Sequence, residues 1–168
     1  MRIRHAQTAD LEQISAINEA GVPGVTPADV AEVSRLVDLA ELAVVAVDAI
    51  DETVVVGFLI VMAPGVDYES ENYRWFMERG TDFLYIDRIA IADGHRGGGI
   101  GEALYRELFR VAAEQGRAEV TCEVNTAPPN PGSMRFHERL GFTKVGELVT
   151  KGGAYEVALL ARKVESEA

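Results

Sequence analysis

The chain of 168 residues is long enough for one ordinary domain that buries a real core without disulfides or a structural metal. Apolar residues make up 48% and charged residues 26%, which excludes a disordered, collagen-like or coiled-coil chain. Lys and Arg number 16 against 27 Asp and Glu, and the resulting charge of −11 opposes nucleic-acid binding while suiting cationic or amine-bearing partners.

The first segment, residues 2–6, reads as a short edge strand. Thr8 then reads as a helix N-cap, with Asp10 and Glu12 in the first turn and Leu11, Ile14, Ile17 and Ala20 as the apolar stripe. Gly21 to Gly24 break this helix. A second begins at Thr26-Pro27, with Pro in the first helical position, Asp29 close behind, and Val30, Val33 and Val37 facing inward. Two β-branched runs follow, 42–47 and 54–62, joined by an acidic hairpin turn. Gly57 inside the second predicts a bulge or a close backbone approach.

Residues 63–81 read as a long irregular insertion that carries Tyr68, Tyr73, Trp75 and Phe76, a packed loop lining a site. A strand over 82–92, a glycine-rich turn over 94–101 and a helix over 102–115 come next. A strand over 119–124 precedes a short helix opened by Asn130-Pro131, with Phe136 and Leu140 inward, and residues 142–149 and 155–160 close the chain as a hairpin. Strands and helices alternate only in the second half, which predicts a mixed α/β layer.

The longest apolar run, 54–64, is too short to span a bilayer, and Met1 to His5 lead into no signal-peptide core. The expectation is a cytoplasmic protein with no membrane or nucleic-acid partner. The single cysteine, Cys122, permits no intramolecular disulfide, and His5, His95 and His137 are too scattered for a metal cluster.

Arg96-Gly97-Gly98-Gly99-Ile100-Gly101 lies between a strand and a helix, where backbone N–H groups converge on an anion such as a phosphate or pyrophosphate. No Lys and Ser/Thr follow Gly101, so the Walker pattern fails. The dinucleotide pattern fails too, because its third glycine falls on Leu104 or Glu102. Arg-x-x-Gly-x-Gly does fit, through Arg96, Gly99 and Gly101. Further on, Asn130 to Phe142 contains an Asn, the pair Phe136-His137 and then Leu140-Gly141-Phe142. With the strand Tyr85 to Ile91 before the turn, these two segments resemble the GNAT acetyltransferase superfamily, specifically at 96–101 and 130–142 and by topology alone over the first eighty residues.

The resemblance implies one acetyltransferase domain over 1–168, with 63–81 as a substrate-loop insertion. It implies a mixed, mostly antiparallel sheet of six to seven strands, splayed at its central strands and flanked by about four helices. It also implies acetyl-CoA as cosubstrate. The pyrophosphate would lie on Arg96, Gly97, Gly98, Gly99, Ile100 and Gly101, and the pantetheine arm on the backbone of Ile89, Ala90 and Ile91. Asn130, Ser133 and Phe136 would complete that site, although Asn130 equally reads as the cap before Pro131.

The reaction is attack of a primary amine on a thioester, and a carboxylate must first take a proton from the ammonium. Glu123 is the first candidate, since the resemblance puts a base on this strand and a carboxylate among apolar strand residues is costly to bury. Asp87 is the rival, with an ion pair to Arg88 as its structural reading. The family usually has Tyr where this chain has His137. That residue is either a proton donor to the departing thiolate or a packing residue, with Tyr155 or a Tyr of the insertion as other donors. Cys122 reads as a buried strand thiol, which favours direct attack in a ternary complex over an acetyl-enzyme. Tyr68, Tyr73 and Trp75 are the candidate acceptor contacts, beside Asp67, Glu69 and Glu71. A non-catalytic acyl-CoA-binding module is the alternative, an exposed β edge offers a homodimer contact, and the acceptor's identity and acyl length stay open.

Overall fold

The computed structural model describes residues 1–165. In chain order the elements are β1 (Arg2–His5), α1 (Leu11–Ala20), α2 (Val30–Leu39), β2 (Leu42–Val47), β3 (Val55–Met62), α3 (Glu71–Arg79) and β4 (Phe83–Ile91). α4 (Ile100–Glu114), β5 (Glu119–Ala127), α5 (Pro131–Arg139), β6 (Thr143–Thr150) and β7 (Tyr155–Lys163) follow. The sheet has seven strands in the order β1-β2-β3-β4-β5-β7-β6. The described residues hold five α-helices, in line with the about four expected, and the added one lies in residues 63–81, which are not an irregular loop throughout: α3 occupies about half of them. Its signals are local. Ser70 Oγ accepts from the Tyr73 N–H at 3.3 Å as an N-cap, and Tyr73 and Phe76, three apart, form the buried stripe. No helix among the described residues is long and apolar enough to cross a membrane. The chain divides into two compact units, one of 1–62 with 86–111, the other of 63–85 with 112 onward.

In the first unit, β1 pairs antiparallel with β2, and β2 with β3. Thr8 does not cap α1. A 3-10 turn over Thr8–Asp10 intervenes, and the Asp10 carboxylate reaches back to the Gln7 N–H at 2.7 Å. Arg4 grips Asp10 with both terminal nitrogens, at 2.7 and 2.9 Å, and this donation holds the buried carboxyl below its ordinary value. α1 buries Ile14 and Ile17, while Ala20 is exposed. α2 starts at Val30 rather than Pro27, because Asp29 is the cap, accepting from the Glu32 N–H at 2.8 Å. The preceding segment is held extended by Ser15 and Glu19 of α1, which bond the Ala28 carbonyl and N–H at 2.8 and 2.9 Å. Val33 and Leu36 therefore face inward and Val30 outward.

All eight residues of β3 are buried. Gly57 sits where the β2–β3 register slips, and a Cβ there would lie 3.0 Å from Ile91 Cδ1 and 3.1 Å from Ile100 Cγ2. Both features expected of this glycine are present, a bulge and a close approach.

In the second unit, β4 and β5 share a parallel ladder of three pairs, Phe83–Glu119, Leu84–Val120 and Tyr85–Thr121. β5 pairs antiparallel with β7 along its length, and β7 with β6. The β6 register slips between Lys144 and Gly146, and the Trp75 indole of α3 fills the space beside Gly146, 2.5 Å from where a Cβ would stand. The backbone N–H of Lys151 donates to Glu71 at 3.0 Å, a second tie between α3 and the closing hairpin.

Gly57→Val adds an isopropyl group, three carbons, where Ile91 and Ile100 already meet the backbone. The expected loss of stability is about 1–3 kcal/mol, measured by urea unfolding against the parent chain.

Candidate active site

The glycine turn belongs to the first unit. β4 closes when Ala92 N–H donates to Val56 O at 2.8 Å, and a turn forms when His95 N–H donates to Ala92 O at 3.0 Å. Gly97 and Gly99 then take φ of 80° and 82°, values open to glycine but strained for other residues, with Gly98 between them outside that region. Such alternation turns successive N–H groups toward one side and makes a concave anion site. Gly99 O accepts from Ala103 N–H at 3.0 Å, so the turn runs directly into the N-terminus of the 15-residue α4, whose dipole adds positive potential. Ile100 anchors the turn in the core, while Gly97, Gly98 and Gly99 are exposed. The Arg96 side chain is 63% exposed and only 3.7 Å from Asp93 at its nearest, available to an anion. A Cβ at Gly97 or Gly99 would meet nothing within 4 Å, so packing does not require glycine there and backbone conformation does. Ile89, Ala90 and Ile91 form the end of β4 that leads into this turn.

Asp87 lies in the same unit, its carboxylate 3.0 Å from Arg88 Nε. Arg88 is buried and spans Asn18 Oδ1, Thr26 O and Thr26 Oγ1 at 3.1 to 3.2 Å. This is the ion-pair arrangement that was the structural reading of Asp87: the carboxylate balances a buried guanidinium holding the segment after α1.

Glu123 lies in the second unit, midway along β5, half-buried on the face it shares with buried Thr121, while buried Val120, Cys122 and Val124 alternate to the other face. Tyr85, opposite Thr121 in the parallel register, donates its hydroxyl to Glu123 Oε2 at 2.7 Å. Sequence reasoning passed over Tyr85, because the contact joins residues 38 apart. Only the strand register brings them together. Cys122, beside Glu123, is fully buried; burial first, and the Glu123 charge second, push its thiol well above the ordinary range. A buried thiol raised in this way favours its protonated form, as expected of a structural strand cysteine.

Asn130 caps α5, its Oδ1 accepting from the Ser133 N–H at 3.3 Å. His137, not Phe136 or Leu140, is the most buried residue of that helix. Its Nδ1–H donates to Ser133 O at 2.7 Å, and its ring meets Phe136 and Phe142 edge-on with centroids 5.6 and 5.3 Å away. Burial pulls the imidazole below its ordinary value despite the carbonyl contact. A neutral, packed His137 is a poor imidazolium donor, so the geometry favours the packing reading.

Of the three acceptor candidates, Tyr73 is 2% exposed. Its hydroxyl donates to Ala63 O at 2.7 Å and accepts from the Val66 N–H at 3.1 Å. It anchors the insertion and does not present itself to an acceptor. Trp75 is half-buried against Gly146, and Tyr68 is half-buried with its ring 5.7 Å from that of Tyr73. Lys151 Nζ sits over the Tyr155 ring at 4.7 Å. Among the described residues no group of three or more His, Cys, Asp and Glu is placed to hold a metal.

The His137 environment sets a pH dependence. Its folded value lies below its unfolded value near 6.5, so between the two the unfolded chain binds the proton. Stability contributed by neutral His137 is complete above that value and declines as pH falls below it. Melting curves from pH 8 to 5.5 are expected to show this slope, and His137→Phe to flatten it; His5 and His95 are exposed.

The model of the acetyltransferase (GNAT) family matches residues 17–142. N-acetyltransferase 8F1 of Rattus norvegicus is 34% identical over 68 residues, 40% of this chain and 30% of that protein. Phosphinothricin N-acetyltransferase of Streptomyces viridochromogenes is 28% identical over 95 residues, 54% of this chain and 51% of that one. The chain thus spans 30% to 51% of the length of these curated relatives. Among solved structures, Ard1 from Thermoplasma volcanium superposes with a TM-score of 0.79 at 21% identity, each chain covered to 98%. A phosphinothricin acetyltransferase from Sinorhizobium meliloti, solved in complex with AcCoA, superposes with a TM-score of 0.71 at 27% identity, covering 97% of this chain and 88% of that one. With its glycine turn, seven-stranded sheet and capped α5 in the expected order, this chain belongs to the GNAT acetyltransferase family.

Proposed function

We propose that the protein transfers the acetyl group of acetyl-CoA to a primary amine, on a small molecule or a protein, as a single acetyltransferase domain. The glycine turn carries this reading: left-handed backbone at Gly97 and Gly99 opens the N-terminus of α4 to an anion, as a pyrophosphate requires. The AcCoA bound in the Sinorhizobium relative supports the same cosubstrate. Acetyl-CoA supplies an acyl thioester that an amine can displace, with CoA thiol as the leaving group.

The protein's own residues do the rest. Gly97 to Gly101 and Arg96 bind the pyrophosphate, and the backbone of Ile89 to Ile91 offers edge hydrogen bonds to the pantetheine amides. The Asn130 side chain adds a polar contact. Glu123, held by Tyr85, takes the first proton from the arriving ammonium, directly or through a water, and leaves a nucleophilic amine. The second N–H proton of the attacking nitrogen goes to the departing sulfur, and Glu123 returns its proton to solvent. Atoms balance as ammonium plus thioester giving amide, thiol and one proton. A protonated, buried Cys122 supports direct attack over an acetyl-enzyme.

The acidic stretch with Asp67, Glu69 and Glu71 suits a cationic acceptor, and half-buried Tyr68 is the aromatic contact beside it. Tyr73 leaves the acceptor list, and Trp75 serves it only by fixing α3.

Two experiments test the assignment. Glu123→Gln is expected to lower kcat by about 10²–10⁴-fold on the best amine of a broad panel while acetyl-CoA affinity stays near normal; an unchanged pH–rate profile would remove Glu123 as base. Gly99→Val, which forces a β-branched residue to φ near +82°, is expected to abolish the melting-temperature rise that acetyl-CoA and CoA give and NADH does not. A rise with CoA species but no turnover on any amine would identify a binding module.

A further inference from the structure

We propose that Tyr85 is the positioning residue of the reaction: its phenol, clamped by the aromatic side chains of α3, fixes the Glu123 carboxylate in the orientation that accepts the proton. The inference rests on Glu123 being the base.

The clamp is visible ring by ring. Tyr85 is 1% exposed. Its ring centroid lies 5.6 Å from that of Tyr73 and 5.8 Å from that of Phe76, at interplanar angles of 60° and 44°. Phe83 closes the cluster, 6.2 Å from both α3 rings. Tyr73 is itself pinned at its hydroxyl by Ala63 O and the Val66 N–H. A ring so enclosed has no rotamer freedom left, and its O–H is a fixed donor 2.7 Å from Glu123 Oε2. A glutamate on a strand has three side-chain torsions to order, and a fixed donor orders them in advance.

The charge environment makes this donor count. Across the antiparallel register Glu123 faces Leu159, flanked by Ala158 and Leu160, none of them charged. Beside it on β5, Thr121 and Asn125 are neutral and Cys122 keeps its proton. α5 carries Arg135, Glu138 and Arg139, all exposed, and the buried His137, neutral with its Nδ1–H on Ser133 O. On α3, Glu71 accepts from the Lys151 N–H and Arg79 pairs with Glu119. Donation from the neutral Tyr85 phenol favours the ionised carboxylate over the protonated one. Because Tyr73 and Phe76 belong to the insertion, the segment expected to read the acceptor also sets the base.

The test is a double-mutant cycle on the full chain, with saturating acetyl-CoA and the best amine of the panel. Tyr85→Phe keeps the ring and deletes the donor. It is expected to lower kcat about tenfold, leave the KM for acetyl-CoA unchanged, and move the acidic limb of the kcat–pH profile to higher pH. Added to Glu123→Gln, the same change is expected to cost less than twofold. An equal loss in both backgrounds, or an unmoved limb, overturns the proposal while leaving Glu123 as base. Full activity of Glu123→Gln alone overturns the base assignment, and the positioning role with it. The acetyl-CoA-induced melting shift, retained in each variant, shows that the fold is intact. Phe76→Leu, which loosens the clamp without touching the hydroxyl, is expected to move the limb the same way by less, and an unmoved limb there overturns the proposal equally.

Discussion

The hydrogen bond from the Tyr85 hydroxyl to the Glu123 carboxylate is the contact on which much of the second unit's packing converges. Glu123 stands half-buried on β5, on the face it shares with buried Thr121. The parallel ladder with β4 puts Tyr85 opposite Thr121, one pleat away on the face that Glu123 shares. The ring must then be packed, and α3 supplies Tyr73 and Phe76 for that purpose. α3 in turn must be held, which explains the Ser70 cap, the Glu71 bond to the Lys151 N–H and the indole of Trp75 over Gly146. The chain of dependence runs from one ionised oxygen out to a bulge in β6.

The glycine turn solves a different problem with the opposite material. There the groups proposed to bind are backbone amides, and side chains would only oblige the backbone to leave the left-handed region. Open space around Gly97 and Gly99 shows that the restriction is conformational rather than steric packing. Gly57 is the reverse case, tolerating no side chain because Ile91 and Ile100 already occupy the space. The two kinds of glycine therefore fail differently: one loses the turn's backbone conformation, the other loses core packing.

Local chemistry was legible in the sequence and long-range pairing was not. The glycine turn, the Asn130 cap and the strands Leu42–Val47, Glu119 onward and the closing hairpin come from signals within a few residues of each other. Gly57 announced its bulge because a glycine amid β-branched residues has few other reasons to be there. α3 escaped notice because its aromatic residues read as loop anchors, although Ser70 and the Tyr73–Phe76 spacing carried a helix signal. Thr8 looked like a cap because nothing in the sequence showed Arg4 drawing Asp10 back onto Gln7. Tyr85 was invisible as a partner of Glu123 for the same reason: residues on two strands become neighbours only through a register no local pattern specifies.

His137 shows how one departure from a family pattern is absorbed. A tyrosine in its place would carry a hydroxyl at the end of a long ring. The imidazole is shorter, turns its Nδ1–H back to the Ser133 carbonyl and packs between Phe136 and Phe142. Its Nδ1–H is thereby engaged inside α5. In the proposed reaction the leaving thiolate draws on the proton that the attacking nitrogen itself releases, and the one demanding proton transfer left to the protein is the first, at Glu123. The proposed chemistry then rests on a carboxylate bonded by a phenol that two α3 rings, themselves packed on Phe83, hold in place.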